Sequence, residues 1–165
     1  MNFIKFPIRY VPKNLTQKDK QKQKNMILKS KKLYKQNKYI TRKTISSYKH
    51  KKSKHLSNAR KIYNIKNITP NSELALKTGC KLEALKQIVK KGEGAYYSSG
   101  SRPNQTAQSW GLARLASSLT AGKSAAVDYD ILKKGCNHKG KAFILANKSR
   151  AKYKYGHSKT RKIKI

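Results

Sequence analysis

Lys81, Lys86, Gln87 and Lys90 follow the pattern that a helix-turn-helix needs: Ala75 small enough for two helices to touch, Gly79 for the turn, Leu85 and Ile88 to face the second helix inward. On such a hairpin these four side chains point outward, where a recognition helix meets base edges and phosphates. A second constellation is the run Tyr96-Tyr97-Ser98-Ser99-Gly100-Ser101-Arg102-Pro103-Asn104-Gln105-Thr106. Its hydroxyls, backbone amides and Arg102, gathered ahead of a helix N-terminus, suit a phosphate, and Tyr96 and Tyr97 suit stacking on an unpaired base. The run lacks the Lys-Ser/Thr ending of a nucleotide-binding P-loop. Both constellations have a structural alternative: a hairpin that only packs, and a polar loop that satisfies its own backbone.

Catalytic chemistry finds little to work with. Asp128, Asp130 and Glu93 are the core acids a Mg²⁺ site would draw on, but two aspartates two positions apart on a helix face different directions. A nuclease-type Mg²⁺ site is therefore not expected, and Asp128 is expected to stabilise a helix N-terminus instead. Cys136 and His138, taken with Cys80, His50, His55 or His157, offer no C-x₂-C pair to close a tetrahedral site, so zinc is not expected. Cys80 and Cys136 are expected as free thiols of a reducing compartment. The chain is read as a non-enzyme without cofactor.

What the sequence has in excess is positive charge. Its 165 residues carry 41 Lys+Arg against 6 Asp+Glu, a formal charge of +35. Self-repulsion on this scale disfavours a neutral compact globule and is relieved by a polyanion, whose condensed counterions Lys and Arg replace. The charge is uneven: residues 1–70 hold +20 with Asp19 as the one acid, residues 71–135 hold +5, and residues 136–165 hold +10 with no acid. Lys31, Lys32, Lys43, Lys51 and Lys52 of the first block, and Lys91, Arg102 and Arg114 of the second, complete the expected phosphate-binding set. Tyr34, Tyr39, Tyr48, Tyr153 and Tyr155 interleave the basic tracts, where a ring can lie on a base or dock an arm. The longest wholly apolar run near the C-terminus, residues 142–146, is far short of a bilayer span, and the first nine residues are too interrupted for a secretory signal.

The elements that must position these groups are mainly α. Thr16 and Asp19 have capping-box spacing ahead of a long basic helix to about Gln36, and Leu56, Ala59, Ile62 and Tyr63 mark a second helix ending before Pro70. Asn71-Ser72 caps a third, closed by Gly79; a fourth runs over residues 82–91 to a stop at Gly92, and residues 92–106 are loop chemistry. Residues 107–120 and 125–134 complete the set. The expected organisation is a basic N-terminal arm over 1–70, a helical core module with the helix-turn-helix-like hairpin over 71–135, and a basic tail over 136–165.

The segment Tyr10-Val-Pro-Lys-Asn-Leu-Thr16, the lysine-rich stretch through Lys43, and Gly94-Ala-Tyr-Tyr-Ser-Ser-Gly-Ser-Arg-Pro-Asn-Gln-Thr106 followed by Ser109-Trp-Gly-Leu-Ala-Arg-Leu-Ala116 resemble a family of small, very basic proteins encoded by large double-stranded DNA viruses of algae and protists. The resemblance implies a virion protein that passes through host cytoplasm or nucleus during assembly; it brings no functional residues. The expected partner is nucleic acid, double-stranded DNA first, bound by phosphate neutralisation in genome packaging or condensation. The alternatives are a minor capsid or cementing protein whose arms bind capsid subunits, and a sequence-specific regulator reading bases through Lys86, Gln87 or Lys90.

Overall fold

The computed structural model describes residues 5–154 and 162–164. Among these residues the chain is mainly helical, as predicted, with eight helices and a two-stranded antiparallel sheet in which β1 (Lys5–Pro7) pairs with β2 (Lys162–Lys164). Two compact units form: Met1–Lys51, Glu93–Trp110 and Lys159–Ile165 make the first, Lys52–Gly92 and Gly111–Ser158 the second. The expected boundaries at 70 and 135 follow charge, whereas these units follow burial.

In the first unit, α1 (Gln17–Tyr34) begins where Thr16 Oγ1 accepts from the Asp19 amide at 3.2 Å. It closes at Asn37, in the left-handed region at φ 57°, where the Lys38 amide donates to the Leu33 carbonyl and the Asn37 amide to that of Tyr34, a Schellman-type ending. The buried stripe of α1 is Asp19, Gln23, Ile27 and Ser30, with one apolar residue among four. Hydrogen bonds therefore do much of the docking: Gln23 Nε2 donates to the Tyr10 and Ser101 carbonyls, and Ser30 Oγ to that of Tyr97. None of the seven lysines of α1 is buried. Ile27 joins Phe6, Tyr10, Val11, Leu15 and Ile45 in a small apolar core, with Trp110 edge-on to Tyr10.

The second unit packs α2 (Lys54–Tyr63), α3 (Ser72–Thr78), α6 (Lys123–Val127), α7 (Tyr129–Gly135) and α8 (Lys141–Tyr153) with parts of α4 (Leu82–Ser98) and α5 (Ala107–Leu119) around Leu74, Leu85, Ile88, Leu115, Leu119 and Leu132. Asn71 caps α3 by accepting from the Leu74 amide at 2.8 Å, and Gly79 ends it at φ 74°.

Four expectations are corrected here. Gly92 does not stop α4, which continues to Ser98: a Cβ on Gly92 would lie 2.6 Å from the Gly111 Cα, so this glycine lets α4 and α5 touch. Residues 125–134 form two helices, α6 and α7, that meet at Asp128. Residues 141–153 are not tail but a helix, whose Ala142, Phe143 and Ala146 enter the core, burying a Phe-sized side chain worth about 2 kcal/mol. Cys80 and Cys136 are joined in a disulfide rather than free, because the Gly79–Lys81 and Gly135–Asn137 backbones pair, with the Lys81 amide donating to the Gly135 carbonyl and the Asn137 amide to that of Gly79, each at 2.7 Å.

Candidate nucleic-acid interface

The backbone over residues 42–47 of the first unit has no sheet or helix partner and is held by side chains instead. The Arg42 amide donates to the Tyr96 hydroxyl at 2.9 Å. Asn104 serves both backbone groups of Ile45, accepting from its amide at 2.7 Å and donating to its carbonyl at 3.2 Å. The Ser47 amide and hydroxyl both donate to the Asp19 carboxylate, while Ser47 Oγ accepts from the Thr16 amide, so the capping box expected between Thr16 and Asp19 is completed through Ser47. Lys22 Nζ donates to the Thr44 carbonyl. Inward residues Arg42 and Ile45 leave Lys43, Thr44 and Ser46 exposed, with Lys35, Lys38, Lys49, His50 and Lys51 exposed in the flanking chain. The result is a pinned strap that presents cations without first having to order itself.

Arg42 is the hub of the strap. Its guanidinium is buried, donating to the Tyr96 carbonyl at 2.7 Å, the Ser101 hydroxyl at 2.7 Å and the Ser30 hydroxyl at 3.2 Å, over the Tyr96 ring. All these acceptors are neutral, and burial pulls the Arg42 pKa below its usual value. The Asp19 carboxyl is held below the usual carboxylate range, first by the Ser47 hydroxyl and then by its amide.

The Tyr-Tyr-Ser-Ser-Gly-Ser-Arg-Pro-Asn block is therefore largely the frame for this strap. Tyr96 and Tyr97 lie on α4, not in a loop. Tyr96 is fully buried beneath Arg42, so it has no face to offer a base. Tyr97 is half-buried, and its phenol is pushed up by burial first and by Tyr96 and Glu93 after it. Gly100 sits at φ 119° against Tyr10 and Ile27, a conformation and a space that both need glycine. Thr106 and Ser109 cap α5 reciprocally.

The expected phosphate-binding residues divide between the units. Lys43, Lys51 and Arg102 are exposed in the first unit, as is Lys32, with Lys31 half-buried. In the second unit Lys52, Lys81, Lys86, Gln87 and Lys90 are exposed. Arg114 and Lys91 are committed elsewhere. The buried Asp128 carboxylate accepts from Arg114 Nε and Nη2 at 2.9 and 2.7 Å, from Lys91 Nζ at 3.2 Å and from Ser118 Oγ at 3.1 Å. Asp128 thus serves an internal ion pair, with no side-chain capping bond to α7. The hairpin has the expected order, with Leu85 and Ile88 buried behind Gly79. Yet Lys81 and Gln87 share a shallow hollow of about 360 Å³ with Glu83, Asp130, Ile131 and Lys134, where two carboxylates offset the charge of the two lysines and leave no net attraction for phosphate. Among the described residues, no three His, Cys, Asp or Glu side chains gather where they could hold a metal ion, and no helix is long and apolar enough to cross a membrane.

Sequence reasoning left out Arg42, the tie between Asn104 and Ile45, and the gathering of Tyr34, Tyr39 and Tyr97 into one ring cluster. Tyr34 and Tyr97 stack 6.3 Å apart, and Tyr39 lies 5.2 Å from Tyr97 and 5.9 Å from Tyr34. The interleaving of tyrosine with lysine was the signal for two of these; Tyr155 and His157 lie outside the described residues.

Residues 7–135 of the 165 match the family of unknown function DUF5824. The chain belongs to this family. The DUF5824 match takes in α1 to α7, with the strap and its frame, and ends one residue before Cys136, leaving out α8 and β2. No curated protein and no solved structure matches the chain.

Proposed function

We propose that this is a non-enzymatic nucleic-acid-binding protein of a virion, which neutralises phosphate during genome packaging or condensation with the first unit as its main contact. The observation that carries the reading is the disposition of charge. The first unit holds 21 Lys+Arg against two acids, a net of +19, and Asp19, one of the two, is buried on Ser47. The lysines of α1 and of the strap stay at the surface, where each phosphate met releases a condensed counterion. The viral setting draws on the resemblance carried by the Gly94–Thr106 block, and phosphate contact through a fixed cationic surface carries little sequence choice.

A salt titration of the full chain on duplex DNA and on single strands tests this. Contact with six to ten phosphates predicts a loss of affinity of about 10³ to 10⁵ between 50 and 200 mM salt, linear on logarithmic axes. A slope near zero refutes it. A second reading, a minor capsid or cementing protein, is favoured by one observation on the second unit: a groove of about 560 Å³ floored by Ile62, Ile144 and Leu145 and rimmed by Lys139, Lys141 and Lys148. An acidic protein segment with apolar residues fits that surface, and stoichiometric, symmetry-ordered copies in a capsid shell would favour this reading over the first.

A further inference from the structure

We propose that Tyr39, backed by Tyr97 and Tyr34, is a stacking platform for an unpaired nucleobase, so that the first unit prefers single-stranded nucleic acid to duplex at the C-terminal end of α1. The inference rests on the phosphate-binding reading above and adds to it the class of nucleic acid and the place where it sits.

Tyr39 is 60% exposed; the other large hydrophobic side chains exposed among the described residues are Leu76 and Ile144, neither aromatic. Its ring is nevertheless fixed. Tyr97 supports it at 5.2 Å and 59°, and Tyr34 at 5.9 Å and 66°. Tyr97 in turn stands edge-on to the buried Tyr96 at 5.2 Å, and Tyr96 lies beneath Arg42, so four rings run from the interior to the surface. The backbone that delivers Tyr39 is set by the left-handed Asn37 and the Lys38-to-Leu33 hydrogen bond. A ring held in place loses little freedom when a base lands on it.

The neighbours of Tyr39 in the chain supply the complementary charge. Lys32, Lys35 and Lys38 are all exposed. Lysines beside an exposed ring are the two parts of a single-strand site: cations that follow the backbone and a π-face on which any base stacks. A duplex hides its base faces in the stack, so it can use the lysines but not Tyr39. DNA and RNA strands share this chemistry.

The test compares the full chain with Tyr39→Ala, Tyr39→Leu and Tyr39→Phe variants. The ligands are DNA and RNA single strands of about 16 nucleotides, the matching duplex, and an abasic strand. Tyr39→Ala and Tyr39→Leu are expected to weaken single-strand binding about tenfold and to leave duplex binding within about twofold, while Tyr39→Phe retains wild-type affinity. The abasic strand should bind the wild-type chain as weakly as a normal strand binds Tyr39→Ala. Equal losses on strand and duplex, or an abasic strand that binds as well as a normal one, would overturn the platform. Salt-dependent binding with no effect of Tyr39 overturns the platform alone; salt-independent binding to every ligand overturns the phosphate reading beneath it. Circular dichroism of each variant, expected to superpose on the wild-type spectrum because the ring is mostly exposed, excludes misfolding as the cause.

Discussion

The Arg42 guanidinium lies 3.7 Å from the centre of the Tyr96 ring and donates to the carbonyl of the same residue at 2.7 Å. One buried cation thereby ties the strap to α4, and through Ser30 and Ser101 to α1 and the loop ahead of α5. A planar fork over a ring cannot be replaced by an ammonium group, which is compact and more strongly hydrated. Arg42→Lys and Arg42→Met should each destabilise the chain by about 2–4 kcal/mol, because the hydroxyls and carbonyl they abandon are buried. Urea unfolding measures this, and a lysine variant of wild-type stability would contradict it.

Asp19 gives the strap a pH dependence of definite sign. Its folded pKa is lowered from 3.8 by the Ser47 hydroxyl first and the Ser47 amide next, so the carboxylate form is the one the fold favours. The stabilisation is present above the ordinary carboxylate range and is lost as pH falls through the depressed folded value. The stability gap between wild type and Asp19→Asn should therefore be widest near neutral pH and close below about pH 3.8. A gap that grows on acidification would reverse the assignment.

Local hydrogen bonds were legible in the sequence, and long-range ones were not. Thr16, Asn71 and Gly79 announce their helix ends because each cap is satisfied within a few residues. Arg42 stands among six other arginines, and its partners Tyr96 and Ser101 lie 54 and 59 residues away, so nothing near it in the chain marks it. Gly92 looked like a stop because glycine usually ends a helix, yet its reason lies on α5. The last helix was hidden by charge: four buried residues, Ala142, Phe143, Ala146 and Ser149, suffice to seat it, while Lys141, Lys148, Arg150 and Lys152 give the segment the composition of a basic tail. Of the expected phosphate-binding set, Arg114 and Lys91 are claimed by Asp128, a partner 14 and 37 residues away that neither sequence neighbourhood reveals.

The glycine contact makes a prediction against helix propensity. Alanine is the better helix former by about 1 kcal/mol, and Gly92 is inside α4, so a purely local view expects Gly92→Ala to stabilise. The Cβ would stand 2.6 Å from the Gly111 Cα, a backbone atom that cannot swing aside, and overpacking of this kind costs about 1–3 kcal/mol. Gly92→Ala should lower the thermal midpoint; a raised midpoint would show that α4 and α5 separate without cost.

The disulfide closes a sequence separation of 56 residues around α4 to α7. Loop-closure entropy makes such a crosslink worth about 4 kcal/mol, acting on the unfolded chain. Reduction, or Cys80→Ala with Cys136→Ala, should lower stability by about 2–4 kcal/mol. The paired Gly79–Lys81 and Gly135–Asn137 backbones should persist, because their hydrogen bonds do not involve sulfur. Thermal unfolding with and without reductant, followed by amide exchange at Lys81 and Asn137, separates the two effects; an unchanged midpoint would show that the pairing alone holds these segments.

Arg114 separates a structural cation from a binding one. Its guanidinium embraces a carboxylate with no exposed side-chain surface, and removing one member of such a pair strands the other. Arg114→Ala should therefore cost about 3 kcal/mol of stability while leaving the salt slope of nucleic-acid binding unchanged in the folded variant. Lys43 has the opposite profile: its side chain is exposed, so Lys43→Ala should be stable within about 0.5 kcal/mol and should reduce the slope by about 1 if it meets a phosphate. Measuring unfolding and salt titration on both variants gives a crossed result. An Arg114 variant that keeps its stability and loses slope would move the interface from the strap to the second unit.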